Sequence, residues 1–252
     1  KARFNRDWWI EREQFFALAF DPDKQVVGAV TSNVGHCLAT GIIDKEHMPA
    51  VVGRMFAPDL FSGWGVRTLS SSHAFYNPLS YHRGSVWAVE QGTIVFGLRR
   101  FGFHARAQEL TRALFDLAAL YPEYRIPETV GGYARGERAT PSAYPRANTP
   151  QLWNATAFPL VLQAMLGMLP LAPLQTLVVD PMLPTWMPDV VVRGLRVGTA
   201  TVSLRFWREE DGASRWEVLH KSGTLHIVRQ PPPESLTAGF ADRLTGLLQT
   251  AV

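Results

Sequence analysis

Glu128 stands in the string RIPETVGGY at 125–133, a glycine-rich loop that follows a helical stretch. Paired glycines let a backbone bring a carboxylate up to a pocket, where it could take or give a proton. The same residue could equally be a solvated loop carboxylate or a helix cap. A second group lies in SGWGVRTLSS at 62–71, where Gly63 and Gly65 flank Trp64 and Arg67 follows. An indole can stack on the C–H face of a sugar, and a guanidinium can fork hydrogen bonds to hydroxyls or to a carboxylate. A structural loop anchored by a buried Trp and an internal ion pair would use the same residues. The third group is YNPLSYHRGSVWAVEQGT at 76–93. Tyr81, His82 and Trp87 could form a second wall, although His82 could instead bridge loops as a neutral imidazole. Glu90, one turn into the helix that opens at GSVW, is either a substrate contact or a carboxylate stabilised by the helix dipole. In YPRANTPQLWNA at 144–155, Gln151 and Trp153 open a helix and are placed to support the Glu128 loop from behind.

Helices must carry these loops. Small and apolar residues from 29 to Gly41 predict a first helix, and 45–57 a second with Met48, Val51, Val52, Met55 and Phe56 on one face. The stretch 58–83 has no sustained period and reads as a long functional loop. Helical spacing resumes over 84–101 through Val86, Val89, Ile94, Phe96 and Leu98. It continues over 104–120, with Leu110, Leu114, Leu117 and Leu120 as the apolar ridge. After an irregular stretch to 149, Thr149 as cap and Pro150 at the first helical position predict a helix to Gly167, with Pro159 as a possible kink. Beyond 170 the pattern alternates. Val190–Val192, Thr199–Trp207 and Trp216–His220 read as strands, Asp211-Gly212 and Ser222-Gly223 as turns, and 236–252 as a short terminal helix. The division expected is a helical portion at 1–170 and a C-terminal segment at 171–252.

Composition narrows the function classes. The chain has 252 residues, 46% hydrophobic and 19% charged, values of a globular protein with ample material for a core. A formal charge of +3 with scattered arginines argues against nucleic acid as partner, and no apolar run is long enough to span a membrane. A single cysteine, Cys37, forbids an intrachain disulfide and agrees with a reducing, cytoplasmic compartment. The seven histidines show no close pair at metal-ligand spacing, so neither metal nor cofactor is expected. Eight Trp are the surplus, and aromatic faces suit sugars.

Together with SNVGHCLATGI at 32–42, the four strings resemble, in order and spacing, the amylo-α-1,6-glucosidase type of glycogen debranching enzyme. More distantly they resemble the helical-barrel trehalases, glucoamylases and processing glucosidases. The resemblance implies a mainly α fold, the C-terminal portion of an (α/α)6 barrel of six-hairpin glycosidase type, followed here by a small β appendage. It implies an oligosaccharide or glucan substrate and inverting hydrolysis by two carboxyl groups roughly 6.5–9.5 Å apart. Glu128 matches the Pro-Glu of the family's loop ahead of the last barrel helix and takes the role of base. The chain departs from the pattern after Trp87, where Ala88-Val89-Glu90-Gln91 replaces a frequent Pro-His-Asp-Asn, and Arg83 stands where Asn is common. The family's general acid, an Asp upstream, has no matching motif here. The chain begins with Lys1, and an upstream half of the barrel, in the same or another chain, is expected to complete the site. The alternatives are another six-hairpin glycosidase, such as a trehalase-like enzyme, a mannosylglycerate hydrolase or a processing glucosidase, and a non-catalytic sugar-binding scaffold.

Overall fold

The computed structural model describes residues 1–136 and 140–231, so the helix expected over 236–252 lies outside the described residues. Contacts divide the chain into two compact units, 1–98 with 105–161, and 99–104 with 162–252. A mainly α barrel portion is not what forms. The described residues hold six α-helices and ten strands in four sheets. Each predicted helix over 29–120 exists in shortened form. Helical periodicity marks which face is buried, however, and does not count the strands between helices.

In the first unit, α1 (Ala2–Asp7) leads into two hairpins, β1 (Trp9–Ile10) with β2 (Phe15–Phe16) and β3 (Ala19–Phe20) with β4 (Val26–Val27). Strands of two residues leave too little alternation to be legible. Their turns use Gln14 and Lys24 at positive φ, and stacked rings such as Phe4 on Phe16 and Trp9 on His47 hold them. Then follow α2 (Asn33–Thr40), α3 (Met48–Met55), α4 (Ala88–Arg100), α5 (His104–Ala118) and α6 (Ala157–Leu166), of which Arg99, Arg100, His104 and the residues from Leu162 to Leu166 belong to the second unit. The α3 stripe of Met48, Val51, Val52 and Met55 is buried as its spacing requires, and so are Leu110, Leu114 and Leu117 of α5. Leu120, beyond the end of α5, is exposed. Helix α6 begins later than expected. Thr149-Pro150 is a cis peptide, a 3-10 turn spans Leu152–Thr156, and Gln151 caps that turn by accepting from the Leu152 N–H at 3.1 Å. Pro159 falls in the first turn of α6, where a missing N–H costs no helical hydrogen bond.

The second unit holds β5 (Leu169–Leu171), β6 (Thr176–Val179), β7 (Asp189–Val197), β8 (Ala200–Arg208), β9 (Ser214–Ser222) and β10 (His226–Arg229). One sheet has the order β10-β6-β5 with β10 parallel to β6, and the other is the antiparallel meander β7-β8-β9. Alternation buries Ala200, Val202, Leu204 and Phe206 of β8 against Leu166, Leu177, Val179 and Leu183. Phe206 is fully buried. Phe206→Ala is therefore expected to lower stability by about 3–5 kcal/mol, read as a shifted denaturation midpoint.

Candidate active site

The loops that carry the quoted strings lie side by side in the first unit. Isolated bridges run from Arg67 to Val86, from Val86 to Val130 and from Val130 to Ala143, so four irregular segments are stitched into a ladder. Glu128 sits two residues before Val130 and is 7% exposed. Its backbone N–H donates to Asn148 O at 2.9 Å. The next residue, Thr129, donates its hydroxyl to Val86 O at 2.9 Å. Asn154, 2% exposed, ties the loop to a helix: its Nδ2 donates to Pro127 O at 2.7 Å and Glu128 O at 3.3 Å, and its Oδ1 accepts from the Val89 N–H at 3.1 Å.

Three neutral donors reach the carboxylate. Tyr81 Oη donates to Oε1 at 2.7 Å, Gln151 Nε2 to Oε1 at 3.3 Å, and Asn148 Nδ2 to Oε2 at 3.4 Å. No lysine or arginine pairs with Glu128 among the described residues. Oε2 is thus the less satisfied oxygen, since a 3.4 Å contact is a weak hydrogen bond. The hydrogen bond to Glu128, then partial desolvation and the nearby negative charge, push the Tyr81 phenol up to about 12. Tyr81 therefore stays a protonated donor across the working range. Because its folded value lies above the ordinary phenol value of about 10, this contribution to stability is full below pH 10 and lost as pH climbs through about 12. Alkaline ultraviolet titration is expected to show one phenol ionising near pH 12 that disappears in Tyr81→Phe.

Glu128, Gln151 and Trp153 line an open depression of about 690 Å³. Trp153 also lines a cavity of about 440 Å³ shared with Tyr81, His82, Trp87 and Glu90. Here His82 stacks on Trp87 with centroids 5.4 Å apart, Tyr81 meets Trp87 edge-on at 4.6 Å, and Trp153 meets it at 5.6 Å. Glu90 accepts from Ser32 Oγ at 2.9 Å and lies 3.4 Å from His36 Nε2.

Six of the eight named site partners of Glu128 are thus gathered around these two cavities: Tyr81, His82, Trp87, Glu90, Gln151 and Trp153. Trp64 and Arg67 are not among the residues lining them. Trp64 is 3% exposed beneath the Arg135 guanidinium, which lies 4.5 Å from the ring centroid and pairs with Asp116 at 2.8 Å. Arg67, also 3% exposed, spends its donors on the carbonyls of Gly132 at 2.6 Å and Pro58 at 2.9 Å. Arg67 thus belongs to the ladder that holds Glu128, and Trp64 is a buried ring packed under Arg135. Sequence reasoning passed over Ser32, His36, Asn148 and Asn154. All four stood inside the quoted strings, but polar residue type alone gives no sign of which side chains meet a carboxylate or tie its loop.

No group of three or more His, Cys, Asp or Glu among the described residues could hold a metal ion. No described helix is long and apolar enough to cross a membrane.

Comparison with known proteins joins this geometry to a family. The description "Mannosylglycerate hydrolase MGH1-like glycoside hydrolase domain" matches residues 1–138, a span that includes Tyr81, Trp87, Glu90 and Glu128. Two solved structures, both from Thermus thermophilus, share the fold at TM-score 0.51 and 18% identity over 62% of this chain. One is an uncharacterized conserved protein, of which 36% is covered, and the other a GH63 mannosylglycerate hydrolase in complex with glucose, of which 34% is covered. The chain spans about a third of the length of these structures. No curated protein matches it significantly. The debranching enzymes suggested by the strings are not the family that matches, although the broader kinship with glycoside hydrolases holds. The chain belongs to the mannosylglycerate hydrolase MGH1-like family of glycoside hydrolase domains.

Proposed function

We propose that this chain carries the water-activating side of an inverting glycoside hydrolase site, with Glu128 as the general base. The observation that carries the reading is a nearly buried carboxylate beside a cavity, held, among the described residues, by neutral donors alone. A buried charge without a cationic partner is costly, and such costs are met where chemistry needs an ionised group. Tyr81 and Gln151 fix the carboxylate through Oε1, leaving Oε2 to take the proton of an attacking water. Inversion further requires an acid on the opposite face to protonate the departing oxygen. That acid, with the remaining substrate contacts, comes from a part of the enzyme outside these residues.

The substrates are α-linked glycosides, part of which packs against Trp87 and Trp153. Family membership supports a small glycoside, and the quoted strings support the end of an α-glucan. Proton NMR of the first-formed product of the full-length enzyme on an α-glycoside tests the proposal. The β-anomer is expected, and an α-anomer formed first would refute inversion.

A further inference from the structure

Glu90 stands apart from the groups that hold Glu128. It lies in the first turn of α4, and its two oxygens meet Ser32 Oγ and His36 Nε2. A carboxylate offers about four lone-pair sites, so each oxygen keeps capacity for a ligand. The side chain is 18% exposed and lines the cavity of about 440 Å³. Trp87, Trp153, Tyr81 and His82 give that cavity flat walls, and Thr68 and Thr93 add hydroxyls. Neither lysine nor arginine lines it among the described residues. The nearest arginines in sequence are engaged elsewhere, Arg67 on the Gly132 and Pro58 carbonyls and Arg83 on Ser80 Oγ at 3.2 Å.

We infer that this cavity is a subsite for an uncharged sugar or polyol, with Glu90 accepting hydrogen bonds from its hydroxyls and turning away substrates that carry a carboxylate there. Neighbouring hydroxyls can donate one to each oxygen, as charge-assisted bonds, while the aromatic walls cover the C–H face. A ligand carboxylate has no proton to donate and meets the like charge of Glu90. The mannosylglycerate hydrolase of similar fold is named for a substrate whose glycerate carries a carboxylate. On this inference the present chain serves a different aglycone. The inference rests on the hydrolase reading proposed above.

The test uses the full-length enzyme and matched α-glycosides of glycerol and glycerate, with glucose or mannose as glycone. Wild type is expected to favour the glycerol member in kcat/KM by about tenfold or more. Glu90→Gln, of the same size, should raise KM for the glycerol glycoside more than it lowers kcat and bring the pair close to parity. A wild type that prefers glycerate, or a folded Glu90→Gln enzyme with an unchanged ratio, overturns the inference. Glu128→Gln separates the two readings. Full activity in that variant sinks the base assignment alone, whereas its inactivity beside a flat wild-type ratio sinks only the subsite. Should neither glycoside be turned over, tryptophan fluorescence of Glu128→Gln decides. Binding of the glycerol glycoside in preference to the glycerate glycoside supports the inference, and equal or reversed binding contradicts it.

Discussion

Glu128→Gln in the full-length enzyme is expected to lower kcat about 10²–10⁴-fold, the usual contribution of a positioned general base, with KM little changed. The glutamine amide oxygen can still accept from Tyr81 Oη and Gln151 Nε2, so the loop keeps the contacts that place it. What is lost is an atom able to take a proton from water. Stability should hold or rise slightly, because a carboxylate 7% exposed becomes neutral. Steady-state kinetics beside thermal denaturation separates this outcome from a structural role, for which stability would fall while kcat per folded molecule stayed intact.

Gly132→Ala should be the most damaging small change in the site loops. A Cβ at Gly132 would run into the Gly84 carbonyl oxygen and stand 2.7 Å from its carbon. Both partners are backbone, so neither can swing aside. Gly132 N–H donates to Pro78 O at 2.9 Å, and its carbonyl accepts from Arg67 Nε at 2.6 Å and Tyr76 Oη at 2.9 Å. Moving this point apart strands part of the buried Arg67 guanidinium and shifts the segment that begins at Glu128. A loss on the order of 3 kcal/mol in stability is expected. A fall in kcat of about 100-fold should accompany it at temperatures where the protein stays folded, since ångström-scale misplacement of a catalytic group costs that much. Denaturant titration and single-turnover kinetics measure the two effects separately.

Why some of this was legible in the sequence, and some not, follows from what each signal encodes. The β7-β8-β9 meander shows itself because one face is buried, so Val202, Leu204 and Phe206 alternate with polar neighbours. β6 is buried at every position and has no alternation, and β5 carries Pro170, so neither reads as a strand. The barrel expectation came from the resemblance, and these unread strands, with the two-residue hairpin strands near the N-terminus, left nothing in the pattern to correct it. Glu128, Tyr81, Trp87 and Glu90 were singled out because reactive or aromatic residues cluster in irregular stretches and because their strings resemble a glycosidase family, and the structure places them beside the two cavities. Trp64 and Arg67 met the same criterion for a different reason, Arg67 as a buried tie within the loop ladder and Trp64 as a buried ring under Arg135. Residue type states what a side chain can do, and only packing states whether it faces a cavity.

The most direct test of Glu128 as base is rescue by azide in the full-length Glu128→Ala enzyme acting on an α-glycoside. Azide attacks the anomeric carbon without first losing a proton, so it bypasses the missing base and occupies the space left by the carboxylate. The account predicts that azide restores turnover and that the product is the β-glycosyl azide. No rescue in a folded variant, or an α-glycosyl azide, would contradict it.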